Sequence, residues 1–97
     1  MLLNELAKYI LVLSESRKNT TAANDRAKYD HHLAKAAIMF HCLQEGSDPT
    51  KIKYIIADER RYYGNDFLSG SEGQKAESAF YHFAMLLESS IAVANGD

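Results

Sequence analysis

Length, composition and charge restrict the chain to a few classes of protein. Its 97 residues form one domain, and a hydrophobic fraction of 46% suffices for one core. A net charge of −2 lacks the basic excess that is typical of general nucleic-acid binders. Cys42 is the single cysteine, so we predict neither an internal disulfide nor a cysteine-rich metal site.

The N-terminal segment differs from a targeting sequence and from a membrane span. Its apolar run is interrupted by Asn4, Glu5 and Lys8, and it has neither a basic start nor a small-residue cleavage site. No stretch of the chain approaches the roughly 18 apolar residues of a membrane span. We therefore expect a cytoplasmic protein that does not contact a membrane.

Helical spacing of apolar residues predicts two helices in the first half of the chain. The first covers about residues 2–16. The second covers about residues 21–45, and Thr20 or Thr21 can cap its start. Gly46 fits the position after its last turn, where a left-handed residue ends many helices.

The second predicted helix is apolar on more than one side. Its main stripe consists of Leu33, Ala36, Ala37, Phe40 and Leu43. Its other apolar strip consists of Ala34, Ile38 and Cys42, with Met39 between the two. A helix of this kind is either central in the fold or part of an interface, so the other strip packs against a neighbouring helix or a second copy.

Two more helices are predicted in the second half. Asp48 is a good cap and Pro49 a good first residue for a helix over residues 49–63. Ser71, with glutamine three residues later, predicts a capping box before a helix over residues 72–94. The apolar stripe of this last helix consists of Ala76, Phe80, Phe83, Leu87 and Ile91.

The predicted elements make the whole chain, residues 1–97, a single all-α domain. No segment has the alternating β-branched pattern of a strand. Four amphipathic helices with short connections pack most simply as an antiparallel four-helix bundle. A compact orthogonal helical array is the alternative, because periodicity does not distinguish the two arrangements.

Glu59 is an acidic residue on an otherwise apolar helix face. It follows Ile52 by seven residues, or two helical turns, so Glu59 is a candidate for a buried charge, with a place at the frayed end of that face as the alternative. A buried carboxylate needs a partner or a shifted pKa, because desolvating a lone charge is costly. The expected partners are Arg26, Arg60, a histidine or a tyrosine. Since buried carboxylates often mark functional sites, Glu59 is a candidate functional residue.

The four histidines lack the spacing of a metal site on one helix. Helical ligand pairs usually lie three or four residues apart. His31 and His32 are adjacent and point about 100° apart, His41 lies nine residues further on, and His82 is on another helix. We therefore predict no metal ion and no other cofactor.

Tyrosine, methionine and arginine side chains outside the main apolar faces favour a protein-binding function. These residue types are enriched in protein interfaces. The chain also lacks the nucleophile and phosphate-loop motifs of common enzymes, so we predict neither an enzyme nor a small-molecule substrate. We predict a small adaptor, inhibitor or regulator that binds another protein or itself as a homodimer. The predicted binding residues are Met39, Tyr54, Arg60, Arg61, Tyr81 and Met85.

Nucleic-acid binding or cleavage is the alternative function. A basic corner is expected between the first two helices, formed by Arg17, Lys18, Arg26, Lys28 and His31. The Arg26-x4-His31 spacing is similar to a pair in small helical nucleases of the HEPN type, although Ala27 replaces the usual polar residue. This resemblance implies that Arg26 steadies phosphate charge and that His31 moves a proton. Arg26 and Asp30 also have the spacing of an ion pair along one helix.

Overall fold

Helices make up almost all of the computed structural model, which describes residues 2–46, 49–64 and 70–94. The elements in chain order are α1 (Leu2–Lys18), α2 (Ala23–Gln44), a 3-10 turn (Pro49–Lys51), α3 (Lys53–Gly64) and α4 (Gly70–Ala94). No strand occurs within the described ranges. The all-α prediction and the number of helices are therefore confirmed.

α1 is the central helix, because it packs along both α2 and α4. Near its end, Ser16 Oγ donates to the carbonyl of Glu72, 3.4 Å away, at the start of α4. Near its beginning, Glu5 lies 3.3 Å from His82, further along α4. The end of α1 therefore contacts the start of α4, and the beginning of α1 contacts a later part of α4, so the two helices are antiparallel.

α3 is the shortest α-helix and packs against α2, α4 and the 3-10 turn. Arg60 pairs with Glu88, while Tyr63 contacts Tyr81 two turns earlier on α4. α3 is therefore antiparallel to α4, as expected for a bundle. The 25-residue α4 is about 37 Å long and accounts for most of the 45 Å long axis of the molecule. No helix in the described part of the chain is long and apolar enough to cross a membrane.

The core forms where the apolar faces of all the helices meet. Completely burying one leucine, isoleucine or phenylalanine side chain contributes about 1.5–3 kcal/mol. The large apolar side chains without solvent exposure are Leu6, Leu13, Met39, Ile52, Phe80, Phe83 and Leu87.

The buried face of α2 differs from the predicted stripe. It is centred on Tyr29, His32, Ala36 and Met39. Ala37, expected on this face, is exposed, while Ile38 is 50% exposed on the opposite side of the helix. Of the predicted second strip, Ala34 and Ile38 face outward, whereas Cys42 is partly buried against the core. The correction arises because α1 and α3 both pack on α2 and together select which side is buried.

The C-terminal end of α2 agrees with the sequence-based prediction, and its N-terminal end differs from it. Gly46 has φ 75°, so the left-handed residue predicted after α2 is confirmed. The predicted threonine cap is wrong: α2 is preceded by Ala22, which makes no side-chain capping hydrogen bond. Thr20 Oγ1 instead donates to the carbonyl of Ser16, 2.7 Å away, and thereby caps the end of α1.

The start of α3 and α4 also differs from the predicted boundaries. The predicted third helix is divided into the 3-10 turn Pro49–Lys51 and α3, with the buried Ile52 between them. Its predicted cap, Asp48, lies outside the described residues. α4 begins at Gly70, where φ is 73°, so Ser71 lies inside the helix and not at the cap position.

Candidate functional site

A cluster of polar side chains lies between α2 and α3, inside an otherwise apolar bundle. His31 and His32 belong to α2, and Glu59, Tyr62 and Tyr63 belong to α3. Helical spacing explains the α3 contribution, because Ile52, Ile56, Glu59 and Tyr63 recur every three or four residues on its buried face.

Glu59 and His32 form a buried hydrogen-bonded pair at the centre of this cluster. Both residues are 0% exposed. His32 Nδ1 donates to Glu59 Oε2. Glu59, the candidate for a buried charge, lies in the core and not at a frayed end, and its partner belongs to one of the residue types expected. Removing either member leaves an unpaired buried polar group, which makes single substitutions costly even where the pair itself adds little stability.

His31 approaches the same carboxylate from the solvent side. Its Nε2 lies 3.6 Å from Glu59 Oε1, and its side chain is 29% exposed. Its ring centroid is 4.5 Å from that of Tyr62. Although adjacent residues diverge around a helix, α3 crosses close enough for one carboxylate to reach both imidazoles. The 100° divergence of His31 and His32, on which the prediction of no metal site was based, therefore does not keep the two rings from one carboxylate.

Tyr63 connects the cluster to the other helices. Its ring stacks on His32 at 4.5 Å and on Phe80 of α4 at 4.7 Å. Its hydroxyl shares a hydrogen bond of 2.5 Å with the hydroxyl of Tyr9 on α1. Burial raises the pKa of both tyrosines well above the usual range, so both stay protonated near neutral pH. All four helices thus hold the His32 ring in place.

Sequence reasoning missed His32, Tyr9 and Tyr63 as members of the site. A signal for His32 was present, because Tyr29, His32, Ala36 and Met39 have helical spacing. The hydrogen bond between Tyr9 and Tyr63 joins residues 54 positions apart, so no local pattern predicts it.

His31, His32 and Glu59 are close enough to hold one metal ion. One ligand atom from each side chain lies within 4.8 Å of the others. Within the described ranges, this is the one group of three or more His, Cys, Asp or Glu side chains that meets this condition.

The predicted partner-binding residues divide between the core and the surface. Met39 is 0% exposed in the core, so its assignment to a binding surface is corrected. Tyr54 is 82% exposed on the side of α3 that faces away from the core. Met85 and Tyr81 of α4 are 56% and 39% exposed. Tyr54, Tyr81 and Met85 are therefore accessible to a partner.

The accessible residues lie along the junction of α3 and α4. Arg60 and Glu88 form an ion pair across this junction. Two adjoining surface depressions share Lys53 and Ile91; one reaches Tyr54 and the other the Arg60–Glu88 pair. We call this surface the α3/α4 face, and it comprises Lys53, Tyr54, Ala57, Arg60, Tyr81, Met85, Glu88 and Ile91. Arg61 is exposed beside it and pairs with Asp58 on the same helix.

The basic corner contains acidic partners for two of its cations. Arg17 Nε donates to Asp30 at 2.5 Å, and Lys28 lies 3.8 Å from Asp25. The predicted pair of Arg26 with Asp30 is therefore wrong, because Asp30 faces α1. Lys18 and Arg26 are exposed.

The arginine and histidine of the nuclease-like spacing point in different directions. Five residues along a helix correspond to a rotation of about 140°. His31 is directed at Glu59 and Tyr62 on α3. Nucleic-acid binding through this corner stays a prediction.

Comparison with known proteins gives no family assignment. No protein-family description, curated protein or solved structure matches this chain. Its function must therefore be inferred from the site itself.

Proposed function

We propose that this chain is a small protein-binding module that acts through the α3/α4 face. The observation that carries the proposal is the exposure of Tyr54 to 82% of its surface in the first turn of α3. Met85 and Tyr81 are exposed on the neighbouring helix α4, so the two helices together offer a partner apolar area at low conformational cost. The module would act as an adaptor, inhibitor or regulator.

The rigidity of the helices that carry the face supports this proposal. Tyr81 packs edge-on against Phe80, with ring centroids 5.2 Å apart, so its position is fixed before binding. The Arg60–Glu88 ion pair links the two helices at the surface. Preformed side chains lose less conformational entropy on binding, which favours affinity.

Charge on the α3/α4 face favours a partner with carboxylates. Lys51 and Lys53 are exposed and form no ion pair with another described residue. We therefore propose that the partner is a segment of another protein, with apolar side chains that cover Tyr54 and Met85 and acidic side chains that approach the lysines. Complementary charge increases the association rate and the specificity of such a complex.

The proposal places the module in the cytoplasm. A reducing compartment suits a chain whose one cysteine, Cys42, is a free thiol. Self-association through the same face is the competing outcome of the test.

Site-specific photo-crosslinking in the producing cells tests this proposal. A photoreactive amino acid replaces Tyr54 or Met85, and a control replaces Leu11, which is 62% exposed on α1. We expect one partner to be crosslinked from positions 54 and 85 but not from position 11. Light scattering over a concentration series then establishes whether that partner is another protein or a second copy.

Affinity measurements with the identified partner complete the test. The double variant Tyr54→Ala, Met85→Ala should bind at least about 30-fold more weakly, as expected for two residues that together contribute about 2 kcal/mol or more. Leu11→Ala should bind normally, and circular dichroism should be the same for all variants. Equal crosslinking from positions 11 and 54, or unchanged affinity of the double variant, would contradict the proposal.

A further inference from the structure

The buried polar cluster has the ligand geometry of a transition-metal site. Zinc binds nitrogen and oxygen ligands at about 2.0–2.2 Å, which places neighbouring ligand atoms roughly 3.3–3.6 Å apart in a tetrahedron. His31 Nε2 and Glu59 Oε1 are 3.6 Å apart. His32 Nδ1 hydrogen-bonds to the other carboxylate oxygen, so both imidazoles already converge on one carboxylate.

Glu59 provides a second, independent observation. Its Oε1 atom is fully buried, and no described residue donates a hydrogen bond to it. A buried acceptor in this state destabilises the fold, and a bound cation would remove that cost. The ion pairs of this carboxylate are with the two imidazoles alone among the described residues, so no lysine or arginine occupies the position of the cation.

The surroundings of the cluster hold the ligands in place. Tyr62 lies against the His31 ring, and Tyr63 stacks on the His32 ring. Ligand rings that are fixed before binding favour metal affinity, because little order is lost when the ion enters. The His31 side chain is 29% exposed, so the cluster lies close to the surface, although the His31 Nε2 atom is itself buried.

We propose that His31, His32 and Glu59 bind one divalent transition-metal ion, with Zn²⁺ as the expected ion. Two imidazole nitrogens and one carboxylate oxygen suit zinc and its neighbours, whereas Mg²⁺ and Ca²⁺ prefer sites made of oxygen atoms. This site goes beyond the proposed protein-binding function and does not depend on it, because the cluster lies on the buried side of α3. It revises the sequence-based expectation that the chain binds no metal.

Zinc titration of the tag-free full chain tests the proposal. Isothermal calorimetry with Zn²⁺ alone should give one site per chain, and Co²⁺ in its place should give the visible absorption of a four-coordinate ion. His31→Ala and Glu59→Gln should each weaken zinc binding by at least about 100-fold, since even substitutions around a metal's ligands cost 10- to 100-fold. His41→Ala is the matched control, because His41 forms an exposed pair with Glu45 on the same helix. This control should bind zinc like the unmodified chain.

Three results would overturn the proposal. These are no saturable zinc binding by the unmodified chain, unchanged affinity in His31→Ala and Glu59→Gln, and an equal loss in His41→Ala. Circular dichroism establishes whether each variant folds. If the ligand variants do not fold, the histidine ring resonances of the unmodified chain decide the matter. Zinc should then shift the His31 and His32 signals and leave those of His41 and His82 in place.

Discussion

The hydrogen bond between Tyr9 and Tyr63 allows a quantitative test of how the bundle holds its polar centre. The two hydroxyl groups are 2.5 Å apart, and both side chains are buried. Replacing one tyrosine by phenylalanine removes the bond and leaves the other hydroxyl buried without this partner. A lost hydrogen bond of this kind should lower the free energy of unfolding by about 1–3 kcal/mol. For a domain of this size, each kcal/mol corresponds to about 4–8 °C in the melting temperature.

The double variant Tyr9→Phe, Tyr63→Phe should be less destabilised than the sum of the two single variants. Because it removes both hydroxyl groups, it leaves no unpaired polar atom from this pair, so its stability should resemble that of either single variant. Urea unfolding followed by circular dichroism measures all four proteins and gives the coupling energy, which we expect to be about 1 kcal/mol or more. Tyr54→Phe, at an exposed site, should change stability by less than about 0.5 kcal/mol. Additive effects of the two single variants, within about 0.5 kcal/mol, would refute the reasoning.

Three further predictions concern pH, backbone conformation and core packing. Because burial raises the pKa of Tyr9 above its ordinary value of 10.0, the unfolded chain loses this proton first. This phenol should therefore not change the free energy of unfolding, measured in urea, below pH 10. Above pH 10 that free energy should fall by at most about 1.4 kcal/mol per pH unit for each buried phenol, and Tyr9→Phe should reduce this slope. Gly70→Ala should lower the free energy of unfolding by roughly 1–2 kcal/mol, because φ is 73° at this residue. Gly64→Ala is the control and should be neutral or stabilising, because φ is not positive there. A loss of similar size in both variants would contradict the left-handed conformation of Gly70. Phe80→Ala should cost about 3–5 kcal/mol in urea unfolding, since its ring is completely buried, and a cost below about 1 kcal/mol would show that the ring is not in the core.

Several parts of the site could be predicted from the sequence because they depend on spacing within one helix. Glu59 lies two turns after Ile52, so helical geometry alone placed it on the same face, while its burial depended on the packing of the other helices on that face. Tyr54 lies opposite the isoleucine face of α3, so its exposure followed from the same helical geometry. Local spacing could not give the partner of Glu59, because His32 is 27 residues away and several residue types could have paired with it.

The sequence by itself determined the all-α class, the four helices and the left-handed Gly46, because these depend on residues near one another in the chain. Tertiary structure alone decided that Met39 is in the core and Ile38 at the surface, since α2 is apolar on both sides and its neighbours select the buried one. It also decided that His31 and His32 share Glu59. Adjacent residues diverge around their own helix, and only a carboxylate from a second helix can contact both rings.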